Sequence, residues 1–289
     1  MNLLNYLATE PKMMLLIAGF LGLIVGSFLN VVIYRLPIMM EREWRRQCAE
    51  LLNVSVQTPS KTLNLNKPRS HCPHCGHQIK VLENIPILSY IWQRGKCTAC
   101  HQVISPRYPI IEATSAILAM ITTWHFGLEW SLIGALVLTW ALLAASMIDF
   151  DHQLLPDNIT LPLLWLGILC NLFGLYTDIE SSIIGAMAGY LILWTLYWLF
   201  KIVTGKEGMG YGDFKLLAML GAWMGWQALP LIILMSSLVG AIVGITLVLM
   251  RLQEKNVPIP FGPYLAAAGW INLLWGSTLT HAYLLWTYH

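Results

Sequence analysis

The sequence is short of charge. Asp, Glu, Lys and Arg make up 11% of its 289 residues, against about 25% in ordinary soluble domains. With 57% hydrophobic residues, that deficit places the chain among membrane proteins. It also lacks a large basic surplus. The formal net charge is +2, so no nucleic-acid partner is expected. There is no H-E-x-x-H, which argues against a zinc protease. There is no G-x-G-x-x-G and no polar stretch long enough for a Rossmann domain, so any nucleotide-derived cofactor needs an unconventional site. The N-terminus lacks the short apolar core and small-residue cleavage site of a signal peptide. Met13 to Leu36 reads instead as a retained transmembrane helix.

What the sequence has is long apolar runs. A span takes about 20 residues at 1.5 Å rise each. Eight runs are candidates: 13–35, 109–128, 130–149, 158–176, 180–201, 213–228, 230–250 and 262–286. The 35 uncharged residues between Lys215 and Arg251 suffice for two short spans but not two long ones. Of the 17 Lys and Arg, 11 fall between Arg35 and Arg107. Alternating spans put these on one side with Lys201, Lys206, Lys215, Arg251 and Lys255, and leave only Lys12 opposite. The positive-inside rule makes that side cytoplasmic and both termini external. The expected fold is thus an all-α polytopic membrane protein of about eight transmembrane helices with a small cytoplasmic zinc-binding loop domain. Its parts are residues 1–35, the first helix; 36–108, the cytoplasmic module; and 109–289, a seven-helix membrane domain. Gly22/Gly26, Gly185/Gly189, Gly221/Gly225 and Gly240/Gly244 have the spacing that lets apolar helices approach closely.

Within the cytoplasmic module, Met39 to Asn53 is charged and periodic enough for an amphipathic helix at the membrane surface. Two C-x-x-C pairs follow, Cys72/Cys75 and Cys97/Cys100. Each can form a knuckle whose thiolates converge, and two knuckles complete a tetrahedral zinc site. His74, His77 and His101 lie beside the thiolates and could replace one of them; a redox role for one pair is the alternative. Four protein ligands leave no open position for water, so the zinc reads as structural.

Acidic residues at the ends of apolar spans are costly and point to function. Asp149 ends the third span; Asp213 follows the glycine-rich Gly208-Met209-Gly210-Tyr211-Gly212 and opens the sixth. The topology puts both at one depth on the cytoplasmic side. Two close carboxylates can share one proton, the ionised member deprotonating water while the protonated one polarises a carbonyl. Asp157, after Pro156, reads as a helix N-cap, and Asp151 lies on a different helix face from Asp149. A proton-relaying transporter and a non-catalytic scaffold remain alternatives on these residues alone.

Gly210-Tyr211-Gly212-Asp213-Phe214-Lys215 matches the G-x-G-D signature of intramembrane aspartyl proteases. Together with Gly26-Ser27-Phe28-Leu29-Asn30-Val31, the four cysteines, Asp149-Phe150-Asp151-His152 and Leu155-Pro156-Asp157-Asn158-Ile159-Thr160, it resembles the bacterial type IV prepilin peptidases over nearly the whole chain. The resemblance implies a bifunctional enzyme of the bacterial inner membrane. It implies removal of the basic leader of prepilins and pseudopilins after a glycine, then N-methylation of the new N-terminal residue, commonly Phe, with S-adenosylmethionine. It implies Asp149 and Asp213 as the catalytic pair, Cys72, Cys75, Cys97 and Cys100 as the metal ligands, and Gly95 as a glycine linked to methyl transfer. The expected partners are these pilin substrates and the lipid bilayer. Glu112, near the start of the second span, could orient an amine, and Asp151, Glu207 and Glu254 could attract the leader.

Overall fold

The computed structural model describes residues 10–54, 63–250 and 260–287. The described residues are mostly helical, with two isolated antiparallel bridges among them, His71 with Gln78 and Lys96 with Val103, in the irregular stretch 63–106. The helices are α1 (Pro11–Leu52), α2 (Leu88–Trp92), α3 (Arg107–Phe126), α4 (Trp130–His152), α5 (Asp157–Leu172), α6 (Ile179–Thr204), α7 (Tyr211–Met224), α8 (Leu229–Leu249) and α9 (Gly262–Thr287). Each of the eight apolar runs is therefore a helix. Among the described residues, four helical segments are long and apolar enough to cross a membrane: Pro11–Leu52, Trp130–His152, Ile179–Thr204 and Trp226–Leu247. At 1.5 Å per residue, the 16 residues of α5 and the 14 of α7 rise only about 24 and 21 Å. The chain divides into two compact units, Met1–Leu128 and Glu129–His289.

One difference from the sequence reading concerns Met39 to Asn53. This stretch is no separate surface helix but the continuation of α1, which runs through Pro37 to Leu52. Proline removes one ladder bond, yet the turns on both sides hold. Beyond it, Glu41–Arg45 and Glu43–Arg46 pair along the exposed surface, a spacing that supports a helix by a few tenths of a kcal/mol per pair. Asn53 then adopts a left-handed conformation and its N–H closes the helix end.

In the first unit, α3 packs along α1 on glycines. A Cβ at Gly22 would lie 2.6 Å from the Ala116 Cα, and one at Gly26 would lie 2.8 Å from the Glu112 Cα. Two side-chain bonds fix the pair: the Ser115 hydroxyl donates to Gly22 O at 2.6 Å, and Asn30 Nδ2 donates to Tyr108 O at 3.2 Å.

In the second unit α7 is the core. Asp213, Phe214 and every residue from Leu216 to Trp223 are buried, enclosed by α5, α6 and α9. Asn171 at the end of α5 is fully used: its Nδ2 donates to Ala222 O and Trp223 O, and its Oδ1 accepts from Tyr176 N and Thr177 N. Trp223 returns a bond from its indole N–H to Leu163 O at 2.8 Å. The α6–α7 contact is backbone on backbone, for a Cβ at Gly189 would lie 2.6 Å from Leu217 O and one at Gly185 would lie 2.8 Å from Trp226 N. Overpacking such a contact costs about 1–3 kcal/mol. Gly185→Leu is therefore expected to lower the thermal unfolding midpoint of the detergent-solubilised protein by several degrees. A midpoint equal to wild type would show that the helices do not meet there.

Candidate active site and metal centre

Asp149 lies one turn from the end of α4 and is 5% exposed; Asp213 lies in the first turn of α7 and is 7% exposed. Both are held by backbone. Asp149 Oδ2 accepts the N–H of Gly262, the first residue of α9, at 3.0 Å. That places a carboxylate on a helix N-terminus, where unpaired N–H groups and the helix dipole favour negative charge. Asp213 sits on its own helix N-terminus, its N–H donating to Gly210 O at 3.2 Å.

The two carboxylates are close enough for the charge of Asp149 to act on Asp213. Leu155 packs between Gly262, whose N–H bonds Asp149, and Gly212, which precedes Asp213. A Cβ at Gly262 would lie 2.6 Å from Asp149 Oδ2 and 3.1 Å from Leu155 Cδ1, and a Cβ at Gly212 would lie 2.7 Å from Leu155 Cβ. Glycine is thus required at both positions by close approach rather than by backbone angle. Gly262 escaped the sequence reading, although Pro260-Phe261-Gly262-Pro263 before an apolar run was a visible signal.

The neighbouring acids go elsewhere. Asp151 is exposed. Asp157 is the first residue of α5 rather than its N-cap, and both of its oxygens accept from Lys215 Nζ at 2.7 Å. Glu207 binds Lys201 Nζ at 2.8 Å, so its charge is already paired and a weak attractor for a basic leader. Glu254, Arg251 and Lys255 lie outside the described residues.

In the first unit, the four cysteine sulfurs all lie within 4.8 Å of one another. Cys72 and Cys100 are 3.8 Å apart and Cys75 and Cys97 4.0 Å, too far for disulfides. Zn–S bonds of 2.3 Å in a tetrahedron need sulfurs about 3.8 Å apart, so the donor set fits a zinc ion. The knuckles repeat one another. Cys72 N donates to His77 O as Cys97 N does to Gln102 O, and Gly76 N donates to Cys72 O as His101 N does to Cys97 O. The backbone N–H groups of Cys75 and His74 face the Cys72 sulfur and hold its thiol down to about 7, and those of Cys100 and Ala99 lower Cys97. These two thiols have the environment a metal-binding thiolate needs, whereas against the Gln102 backbone bond, burial and the other three sulfurs push Cys100 up to about 12.

Glu83 ties the knuckles together. It accepts from Lys80 N at 2.8 Å, from the Thr98 hydroxyl at 2.7 Å and meets His77 Nε2 at 3.2 Å. The Lys80 N–H first, then Thr98 and His77, hold its carboxyl down to about 2. His77 is thereby occupied, and the cluster among the described residues is the four cysteines. Gly95 is buried at φ +66°, with the Tyr90 hydroxyl 3.0 Å from where a Cβ would stand. Glu112 Oε2 accepts the N–H of Ile87 at 2.8 Å, and the Ser27 side chain is a second partner, so the carboxylate is not held ready for an amine.

Two family models match the chain: the bacterial peptidase A24 N-terminal domain over residues 20–126 and the type IV leader peptidase family over residues 136–245. Proteins named prepilin leader peptidase/N-methyltransferase align along almost all of it. The one from Stutzerimonas stutzeri is 57% identical over 98% of both chains. Those from Pseudomonas aeruginosa and Legionella pneumophila are 56% and 42% identical, covering 98% of this chain and 98% and 97% of their own. No solved structure matches.

The cysteine geometry makes a prediction of its own. The purified protein is expected to carry about one zinc per chain. Cys72→Ser should remove most of it and lower the protease resistance of residues 63–106, because structural zinc supplies folding energy to small modules. A full metal complement in Cys72→Ser, read by elemental analysis, would show that the four sulfurs are not the ligands.

Proposed function

The chain belongs to the type IV leader peptidase family, and we propose that it processes type IV prepilins and pseudopilins in two steps at the cytoplasmic face of the bacterial inner membrane. In the first, Asp149 and Asp213 hydrolyse the peptide bond after the leader's glycine. In the second, the new N-terminal residue, commonly Phe, is N-methylated with S-adenosylmethionine.

The reading of the aspartates is carried by one observation: two buried helix-end carboxylates, separated widely in sequence, sit beside Gly262 and Gly212, which both close on Leu155. The ionised carboxylate takes a proton from water as the oxygen attacks the glycine carbonyl carbon. The protonated carboxyl gives its proton to the carbonyl oxygen, producing a tetrahedral diol. When the C–N bond breaks, the first carboxyl protonates the leaving amine and the second recovers its proton from the diol. The leader departs as a carboxylic acid and the pilin gains a free amine. Gly262 N–H holds one oxygen of Asp149 throughout, fixing its orientation.

The eight helices α1 and α3–α9 are read as the membrane domain, with the large loop cytoplasmic and both termini outside. The 14-residue α7 is shorter than the roughly 30 Å hydrocarbon layer. Its Asp213 end then lies within the membrane boundary. A prepilin's apolar helix can stay in lipid there while its basic leader remains in the cytoplasm.

For methyl transfer, S-adenosylmethionine supplies the methyl group. The residues around Gly95 contribute shape rather than a donor cradle, since the Tyr90 ring fills the space beside its Cα. The cysteine site, read as zinc, is structural: with four thiolates it has no position left for substrate or water.

Asp149→Asn and Asp213→Asn are each expected to lower prepilin cleavage by roughly three orders of magnitude while leaving methylation of an already cleaved pilin intact. Cleavage at wild-type rate by either variant would remove the pair. Gly262→Ala inserts a methyl group 2.6 Å from Asp149 Oδ2; a displacement of that scale should slow cleavage by about 100-fold. An unchanged kcat in Gly262→Ala would mean that Asp149 need not hold this position.

A further inference from the structure

Glu112 is a buried carboxylate that the proteolytic site does not use, and its partner is unusual. It lies inside α3 beside Gly26 of α1, well within the apolar run from Met13 to Leu36. The helices run antiparallel there: Gly26 meets Glu112, Gly22 meets Ala116 and Gly19 meets Met120. Read as spanning helices, α1 and α3 put Glu112 about 7 Å below the Arg107 end of α3, five residues at 1.5 Å each.

The backbone N–H of Ile87 reaches down to this level, 2.8 Å from Glu112 Oε2. Ile87 turns the chain with φ +59°, a conformation that a β-branched residue rarely adopts. A backbone N–H at that depth has no water to bond and needs a protein acceptor. Glu112 is that acceptor, and the Ser27 side chain meets the carboxylate as well.

The side chains on either side of this tip are apolar and uncovered. Leu88, Ile91 and Trp92 of α2 are 63%, 65% and 86% exposed, and Val81 and Leu82 on the preceding turn are exposed too. Basic residues bracket the segment: Lys80 before it, Arg94 and Lys96 after it. A tryptophan beside an apolar tip, with flanking cations, is the composition of the membrane interface, and interfacial elements sink about 5–10 Å below the headgroups.

We propose that Pro86–Trp92 is a re-entrant tip that inserts into the cytoplasmic leaflet, with Glu112 receiving its backbone at Ile87 and phospholipid covering Leu88, Ile91 and Trp92. It holds the four-cysteine site against the bilayer. The inference rests on the reading of α1 and α3 as spanning helices.

The test is a photocrosslink. The full-length protein, carrying p-benzoylphenylalanine at Leu88, Ile91 or Trp92, is reconstituted in phosphatidylethanolamine–phosphatidylglycerol vesicles and irradiated, and adducts are identified by mass spectrometry. Two further positions serve as references: Ile117, an exposed side chain of α3, and Arg69, an exposed side chain at the edge of the cysteine module. Each variant is first checked for prepilin cleavage. Lipid adducts at positions 91 and 92 are expected to equal that at Ile117 and to exceed that at Arg69 by at least about fivefold. Lipid adduct at Ile117 with none above the Arg69 level at positions 88, 91 and 92 would overturn the insertion alone. Crosslinks from these three positions to protein, whether a pilin or this chain, would overturn it equally. Absence of lipid adduct at Ile117 would overturn the spanning reading and the insertion with it.

Discussion

A polar group removed from water must find its partner inside the protein, and this constraint organises both units. Three side chains show it. Asp149 takes the first N–H of α9, Glu112 takes the N–H of Ile87, and Asn171 satisfies two carbonyls and two amides at once. In each case the partner is backbone that helix geometry alone would leave unpaired: a helix start, a turn tip, a helix end. Buried polar side chains and helix termini solve one another's problem. The cost of burying Asp149 and the orphaned N–H of α9 are offset by a single bond.

Glycine makes these pairings reachable. Gly262 and Gly212 touch Asp149 and Leu155 so closely that any side chain would have to push something aside. Gly185 and Gly189 bring α6 onto the backbone of α7, and Gly22 and Gly26 bring α1 onto α3. The helix that carries Asp213 is thereby locked on nearly every face before any substrate is considered. A carboxylate on such a helix is preorganised: little motion is available to it, so little reorganisation is needed when charge develops nearby.

Much of this was legible beforehand, for physical reasons that differ by residue. The eight helices follow from apolar runs, and the close contacts at Gly22/Gly26 and Gly185/Gly189 from small-residue spacing. Asp213 stands out because three glycines precede it. Asp149 could be set above Asp151 and Asp157 only by resemblance, since all three lie near helix ends; the fold separates them by burying the first, exposing the second and pairing the third with Lys215. Long-range partners were not legible. Nothing local in Lys215 names Asp157, and nothing in Gly262 names an aspartate 113 positions away. The continuity of α1 is not legible because the apolar run ends at Arg35 and a charged stretch follows, whereas the helix passes Pro37 with one bond lost and many kept. The shortness of α7 follows from the 35 uncharged residues it shares with α8, whereas apolarity marks α5 as a helix but cannot reveal that it ends at Leu172 rather than 176.

Gly95 occupies a position whose geometry its backbone and its neighbours dictate. Its positive φ lets the chain leave α2 and enter the second knuckle, where Cys97 follows two residues later. Its N–H donates to Tyr90 O and its carbonyl accepts from Ile104 N at 2.7 Å, while the Tyr90 hydroxyl bonds Ile104 O. Gly95 is therefore the joint between the apolar helix 88–92 and the metal ligands. A side chain there meets two obstacles together, a backbone angle that L-residues disfavour and the Tyr90 ring. Neither obstacle concerns a methyl donor. Both alter the angle at which the cysteine site is carried by α2, and that angle is fixed at its other end by Ile87 on Glu112. The glycine that family resemblance links to methyl transfer is in physical terms a joint of fixed shape between α2 and the second knuckle.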